Sequence, residues 1–147
     1  MSPIDPSARL AATTLRVALG AMYIAHALLK LMVFTLPGTA AYFADIGLPA
    51  DFAYVVFAAE LGGGAAIVLG LYARQVALAL VPVLLGATWA HWPNGWVFSA
   101  EGGGWEYPAF LAIASVVLWL LGDGALALRR GTWLVPGAPA AAPGAAR

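Results

Sequence analysis

Four long apolar stretches, separated by short polar ones, constrain this chain more than any other feature. They run over about 11–36, 52–72, 76–92 and 107–128. A helix needs about 20 mostly apolar residues to cross roughly 30 Å of hydrocarbon. The third stretch is the shortest, and Trp89 and Trp92 give it an interfacial end. Lipid offers no water to unpaired backbone groups, so each stretch is expected to be helical. Composition agrees, with 63% hydrophobic and 10% charged residues, against about 25% charged in soluble domains. The expectation is an all-α membrane protein, an antiparallel four-helix transmembrane bundle. A short N-terminus, 1–10, would precede a transmembrane domain over 11–128, and 129–147 would form a disordered cytoplasmic tail rich in Ala, Pro and Gly.

The few charges orient the bundle. Arg9, Arg16, Arg74, Arg129 and Arg130 fall at one end of such a hairpin pair. The loops at the other end, about 37–51 and 93–106, contain no Lys or Arg but hold Asp45, Asp51, Glu101 and Glu106. The positive-inside rule places both termini in the cytoplasm, with Trp89, Trp92, Trp96, Trp105 and Tyr107 as the outer aromatic belt. The first stretch is too long for a cleaved signal core, and His26 and Lys30 interrupt it. Net charge is zero, which removes the electrostatic footprint of a nucleic-acid partner. The absence of cysteine excludes disulfides, thiolate metal sites and thiol redox chemistry by this chain.

Ionisable groups inside a span are costly and mark candidate sites. His26 and Lys30 are spaced i, i+4 and share a helix face. Glu60 lies about 12 Å below the outer end of the second helix, at 1.5 Å per residue, a depth that matches Lys30 and His26. His91 and Glu106 belong near the outer ends of the third and fourth helices. His26, Lys30, Glu60, His91 and Glu106 therefore form the expected outer-half polar cluster. Lys30 with Glu60 reads either as a structural ion pair or as a ligand or proton site. Arg16 and Asp123 are expected to meet on the inner side, as a structural clamp or by snorkelling. Gly62, Ala66 and Gly70 form a small-residue stripe for helix packing, within the bundle or between copies. Pro82 is expected to kink the third helix, and Pro108 to open the fourth. No metal site is expected, since His91, Glu101 and Glu106 lack ligand spacing. His26 and His91 lie at different depths, which argues against haem. No catalytic nucleophile, phosphate loop or dinucleotide fingerprint is present.

In order along the chain stand Leu15-Arg16-Val17-Ala18-Leu19-Gly20, His26, Lys30-Leu31, Gly47-Leu48-Pro49, Glu60-Leu61-Gly62-Gly63 and Leu69-Gly70-Leu71-Tyr72-Ala73-Arg74. There follow His91-Trp92-Pro93-Asn94-Gly95, Gly103-Gly104-Trp105-Glu106-Tyr107-Pro108 and Gly122-Asp123-Gly124. Over residues 14–128 this set resembles the DoxX family of small four-helix membrane proteins, which is similar to the DoxD subunit of thiosulfate:quinone oxidoreductase. Ala27 follows His26 where many relatives would have glycine. The resemblance implies a multi-pass protein of the bacterial cytoplasmic membrane. It implies a small membrane subunit or anchor of a quinone-linked or oxidative-stress redox system. Such a chain is not expected to be catalytic alone. It would have no intrinsic cofactor but a quinone as ligand, and its partners would be the bilayer, a redox protein and other copies of itself. The alternatives are a small-solute transporter or channel, using Glu60, Lys30 and His26 as a polar path, and a ligand-free scaffold.

Overall fold

The computed structural model describes residues 5–136. Among these, five α-helices carry the fold: α1 (Pro6–Met32), α2 (Leu36–Asp45), α3 (Phe52–Leu69), α4 (Ala73–His91) and α5 (Glu106–Leu121). A single 3-10 turn, Trp92–Asn94, follows α4. Helix α1 packs along α3, α3 against α4, α4 along α5, and α5 returns to α1. The circuit encloses a core that includes Leu19, Tyr23, Ile67, Leu80, Leu111 and Leu118.

Helices α1, α3 and α4 with its 3-10 turn are long and apolar enough to cross a membrane, while α5 is apolar but shorter. Large apolar side chains also face outward. Val55, Phe110 and Ile113 each expose more than 60% of their surface. Water penalises so much contiguous exposed hydrocarbon, whereas lipid does not.

The helix ends follow local chemistry. Asp5 opens α1 by accepting the Ser7 N–H at 3.0 Å, and that bond holds its carboxyl below the usual aspartate range. The first apolar stretch does not continue to residue 36. It breaks at Met32, and Thr35, at a φ of 61°, caps a separate helix by accepting the Gly38 N–H. Pro37 cannot continue a helix through its missing N–H but fits the first turn of a new one. Part of the expected outer loop is therefore α2. The fourth helix ends at Leu121 rather than near 128, because Gly122 and Gly124 adopt φ values of 94° and 71°. Helix α4 runs through Pro82.

The chain after α5 returns to the helices. Leu128 and Arg129 donate backbone N–H groups to Leu69 and Gly70, and the Tyr72 N–H donates to Arg129 O at 2.8 Å. Gln75 and Trp119 then donate to the carbonyls of Trp133 and Leu134. Residues 129–136, counted with the tail from sequence, thus carry hydrogen bonds to the bundle. The remainder of that tail, 137–147, lies outside the described residues.

Candidate functional site

Helix α1 presents His26 and Lys30 one turn apart, and α3 brings Glu60 to the same level. Lys30 Nζ lies 2.7 Å from Glu60 Oε2, the one ion pair among the described residues. The Glu60 side chain is almost wholly buried and that of Lys30 is 17% exposed. The pair lies on the wall of a cavity of about 460 Å3, shared by α1, α3, α4, α5 and the loop before α5. Apolar residues such as Leu84, Leu111 and Phe98 form much of its lining.

Both histidines expected in the cluster line this cavity. Each has its ring held by the backbone. His26 Nδ1 is 2.8 Å from Met22 O, and the ring stacks on Tyr107 with centroids 5.5 Å apart. His91 Nδ1 is 3.0 Å from Gly102 O and 3.1 Å from Gly103 O. A carbonyl can only accept, so each Nδ1 carries a proton. In the neutral ring Nε2 is then the acceptor nitrogen. Gly102 and Gly103, with φ of 79° and 77°, supply the loop conformation that turns both carbonyls toward His91. Asn94 fastens the same turn by donating Nδ2 hydrogens to both carbonyls.

Glu106 does not join the cluster. Its Oε1 accepts the Phe98 N–H at 2.8 Å and braces the loop that roofs the cavity. That loop is closed further by Trp105, which stacks on Trp92 at 4.5 Å and meets Trp96 edge-on. Sequence reasoning left Tyr23 and Tyr107 out of the cluster. Tyr23 bonds Ser115 at 3.0 Å and Tyr107 donates to Met22 Sδ, and both line the cavity. Their signal in sequence is slight, since an aromatic inside an apolar run reads as ordinary packing.

The inner-side pair expected from sequence is not formed. Asp123 Oδ1 accepts the backbone N–H of Arg74 at 2.9 Å and so caps the start of α4. Arg16 reaches the Ala125 carbonyl at 3.3 Å with Nη2, and its Nη1 lies against Gly70. The turn at Gly122 and Gly124 points Asp123 toward α4 rather than α1. Arg74 completes the exchange by donating Nε and Nη2 to Trp119 O, at the carbonyl end of α5.

Within the bundle, only part of the small-residue stripe is in close contact. A Cβ at Gly62 would meet nothing within 4 Å, so Gly62 faces outward. The close contact between α1 and α3 uses Gly20 and Gly64 instead. A Cβ at either would lie 2.8–2.9 Å from the other's carbonyl oxygen. Gly63 abuts Leu80 of α4, and Gly70 makes room for the Arg16 guanidinium.

Chemically, the cavity combines an apolar interior, two aromatic hydroxyls, two histidines whose Nε2 has no hydrogen bond among the described residues, and one buried ion pair. No group of three or more His, Asp and Glu side chains suited to a metal ion occurs among the described residues. No solved structure matches the chain. A stretch of 73 residues is 40% identical to the Bacillus subtilis (strain 168) protein named "Putative oxidoreductase CatD", taking in 50% of this chain and 53% of that protein. The chain thus spans about half the length of the curated relative it matches. The DoxX family profile matches residues 11–93, which include Lys30, Glu60 and both cavity histidines. With more than half of its length matched, and with helices fit to cross a membrane, this chain belongs to the DoxX family of membrane proteins.

Proposed function

We propose that this chain is a small membrane subunit or anchor of a redox system and that its cavity lodges the ring of a quinone. The observation that carries the reading is the convergence of Lys30–Glu60, His26 and His91 on one mostly apolar cavity. A quinone has a flat apolar ring and two carbonyl oxygens that need donors, and its reduced form needs acceptors. The Lys30 ammonium can donate, while each histidine Nε2 can accept or, when protonated, donate. The relative's printed name, with its word oxidoreductase, points the same way. Electron delivery falls to a partner protein, because a chain without cysteine has no thiol relay.

The test uses purified protein in mild detergent and a short-chain quinone, read by quenching of the tryptophans. Saturable quenching is expected, and His91→Leu should weaken it roughly tenfold, the worth of one good hydrogen bond. Quenching that never saturates, or that His91→Leu leaves unchanged, overturns the quinone reading. Solute flux through liposomes carrying the protein would favour a transport path instead.

The same reading sets α1, α3, α4 and α5 across the bacterial cytoplasmic membrane as an antiparallel four-helix bundle, with both termini inside. It is supported by the arginines at one end, Arg9, Arg74, Arg129 and Arg130, and by Trp89, Trp92, Trp96 and Trp105 at the other. Single cysteines at Ala50 and Ser99, both exposed, should react with an impermeant thiol reagent on intact cells. A cysteine at Ser7 should not. Labelling at Ser7 would invert the orientation.

A further inference from the structure

The opposite end of the molecule holds a second cavity that the redox reading does not use. It is a groove of about 580 Å3 between the start of α4 and the returning segment after α5. Arg129 is pinned there through its backbone, by the Gly70 carbonyl and the Tyr72 N–H. Its guanidinium lies over the Tyr72 ring, with Cζ 5.3 Å from the centroid. Arg130 spends one nitrogen on the Gly124 carbonyl at 3.0 Å. Neither arginine meets a carboxylate among the described residues.

Gln75 adds an independent observation. Only 4% of the residue is exposed, and it lines the same groove. Its Nε2 donates to Trp133 O at 2.8 Å, yet its buried Oε1 has no donor. A buried amide oxygen without a partner costs about 1–3 kcal/mol. The groove therefore offers two cations for an anion, beside a buried amide that is only half satisfied. Val76 and Ala79 extend its wall along α4 as an apolar track.

We propose that this groove binds an anionic phospholipid, of the phosphatidylglycerol type. The phosphodiester sits against Arg129 and Arg130. An acyl chain follows Val76 and Ala79. A zwitterionic headgroup brings an ammonium toward two arginines and is disfavoured. Inorganic phosphate shares the anion chemistry but has no chain for the apolar track.

Native mass spectrometry of the full chain in nonionic detergent tests this. Phosphatidylglycerol, phosphatidylethanolamine and inorganic phosphate are titrated at matched concentrations. Phosphatidylglycerol alone should remain bound. One arginine near a lipid surface is worth about fivefold in affinity, so Arg129→Gln with Arg130→Gln should weaken binding roughly 25-fold. Arg9→Gln, at the same end but outside the groove, should change nothing. If the double variant fails to fold, Arg130→Gln alone should lose about fivefold, since its side chain holds only one carbonyl. Equal retention of phosphatidylethanolamine overturns the proposal. So does phosphatidylglycerol binding that the arginine substitutions leave intact. Inorganic phosphate binding as tightly as the lipid would make this a plain anion site and overturn the lipid assignment.

Discussion

Glu60→Gln and Lys30→Met should each destabilise the protein by about 3–5 kcal/mol, and the double substitution should recover most of that loss. The pair is close, at 2.7 Å, and Glu60 is nearly sealed from solvent. Removing one partner strands the other charge beside an apolar cavity, where no second ion pair among the described residues can compensate. Removing both deletes two desolvation costs along with one attraction, so the net change is small. Reversible unfolding in mixed micelles, read by tryptophan fluorescence, provides the cycle. Additive losses would show that the two charges act independently. The double variant also separates structure from function. If the pair serves the ligand, the double variant should be stable yet fail to quench with quinone.

The second large effect concerns the helix contact. Gly20→Ala and Gly64→Ala should each cost about 1–3 kcal/mol or more, although alanine is the better helix former by about 1 kcal/mol. At Gly20 the new Cβ would lie 2.6 Å from Val68 Cγ2 and 2.9 Å from the Val68 backbone nitrogen. At Gly64 it would lie 2.9 Å from the Gly20 carbonyl oxygen and 3.0 Å from the Ile24 nitrogen. Backbone atoms cannot rotate aside, so α1 and α3 must separate, and with them the Lys30–Glu60 pair. Gly62→Ala is the built-in contrast, because its Cβ meets open space. That change should be neutral or slightly stabilising. Equal effects at Gly62 and Gly64 would return the packing face to the stripe read from sequence.

These expectations show where sequence reasoning had purchase. Period and hydropathy place α1, α3, α4 and α5 because lipid and core alike demand long apolar helices. They do not register the break at Met32–Leu36, where every residue is apolar or uncharged and the turn depends on one threonine cap and one proline. Depth counting brings Lys30 level with Glu60, since helical rise is constant along both helices. The same counting pairs Arg16 with Asp123 at the inner end, and there it fails. Asp123 lies beyond the end of α5, on a turn whose direction is set by two glycines at positive φ. Rise per residue predicts position inside a helix and says nothing past its last turn.

Glu106 illustrates a different limit. Its place near the mouth of the cavity is legible, but a carboxylate can turn toward a ligand or toward a backbone N–H with equal ease. Only the path of residues 95–105 decides that the Phe98 N–H claims it. The small-residue face is similar. Gly62, Gly63 and Gly64 are adjacent, so each points about 100° from the next around the helix axis. Composition alone leaves all three faces equally smooth. The rotation of α3 about its axis is chosen by what its neighbours present, namely Gly20 on α1 and Leu80 on α4.

Residue order alone carries the helical class, the approximate helix bounds and the meeting of Lys30 with Glu60. These follow from interactions that depend on position along a chain: solvation of apolar runs, backbone hydrogen bonding and constant rise. Which glycines touch, which carboxylate caps which helix, and that two backbone-held histidines face one cavity emerge only once the helices are packed. Those outcomes depend on helix rotation and loop path, which are set by contacts between segments far apart in sequence.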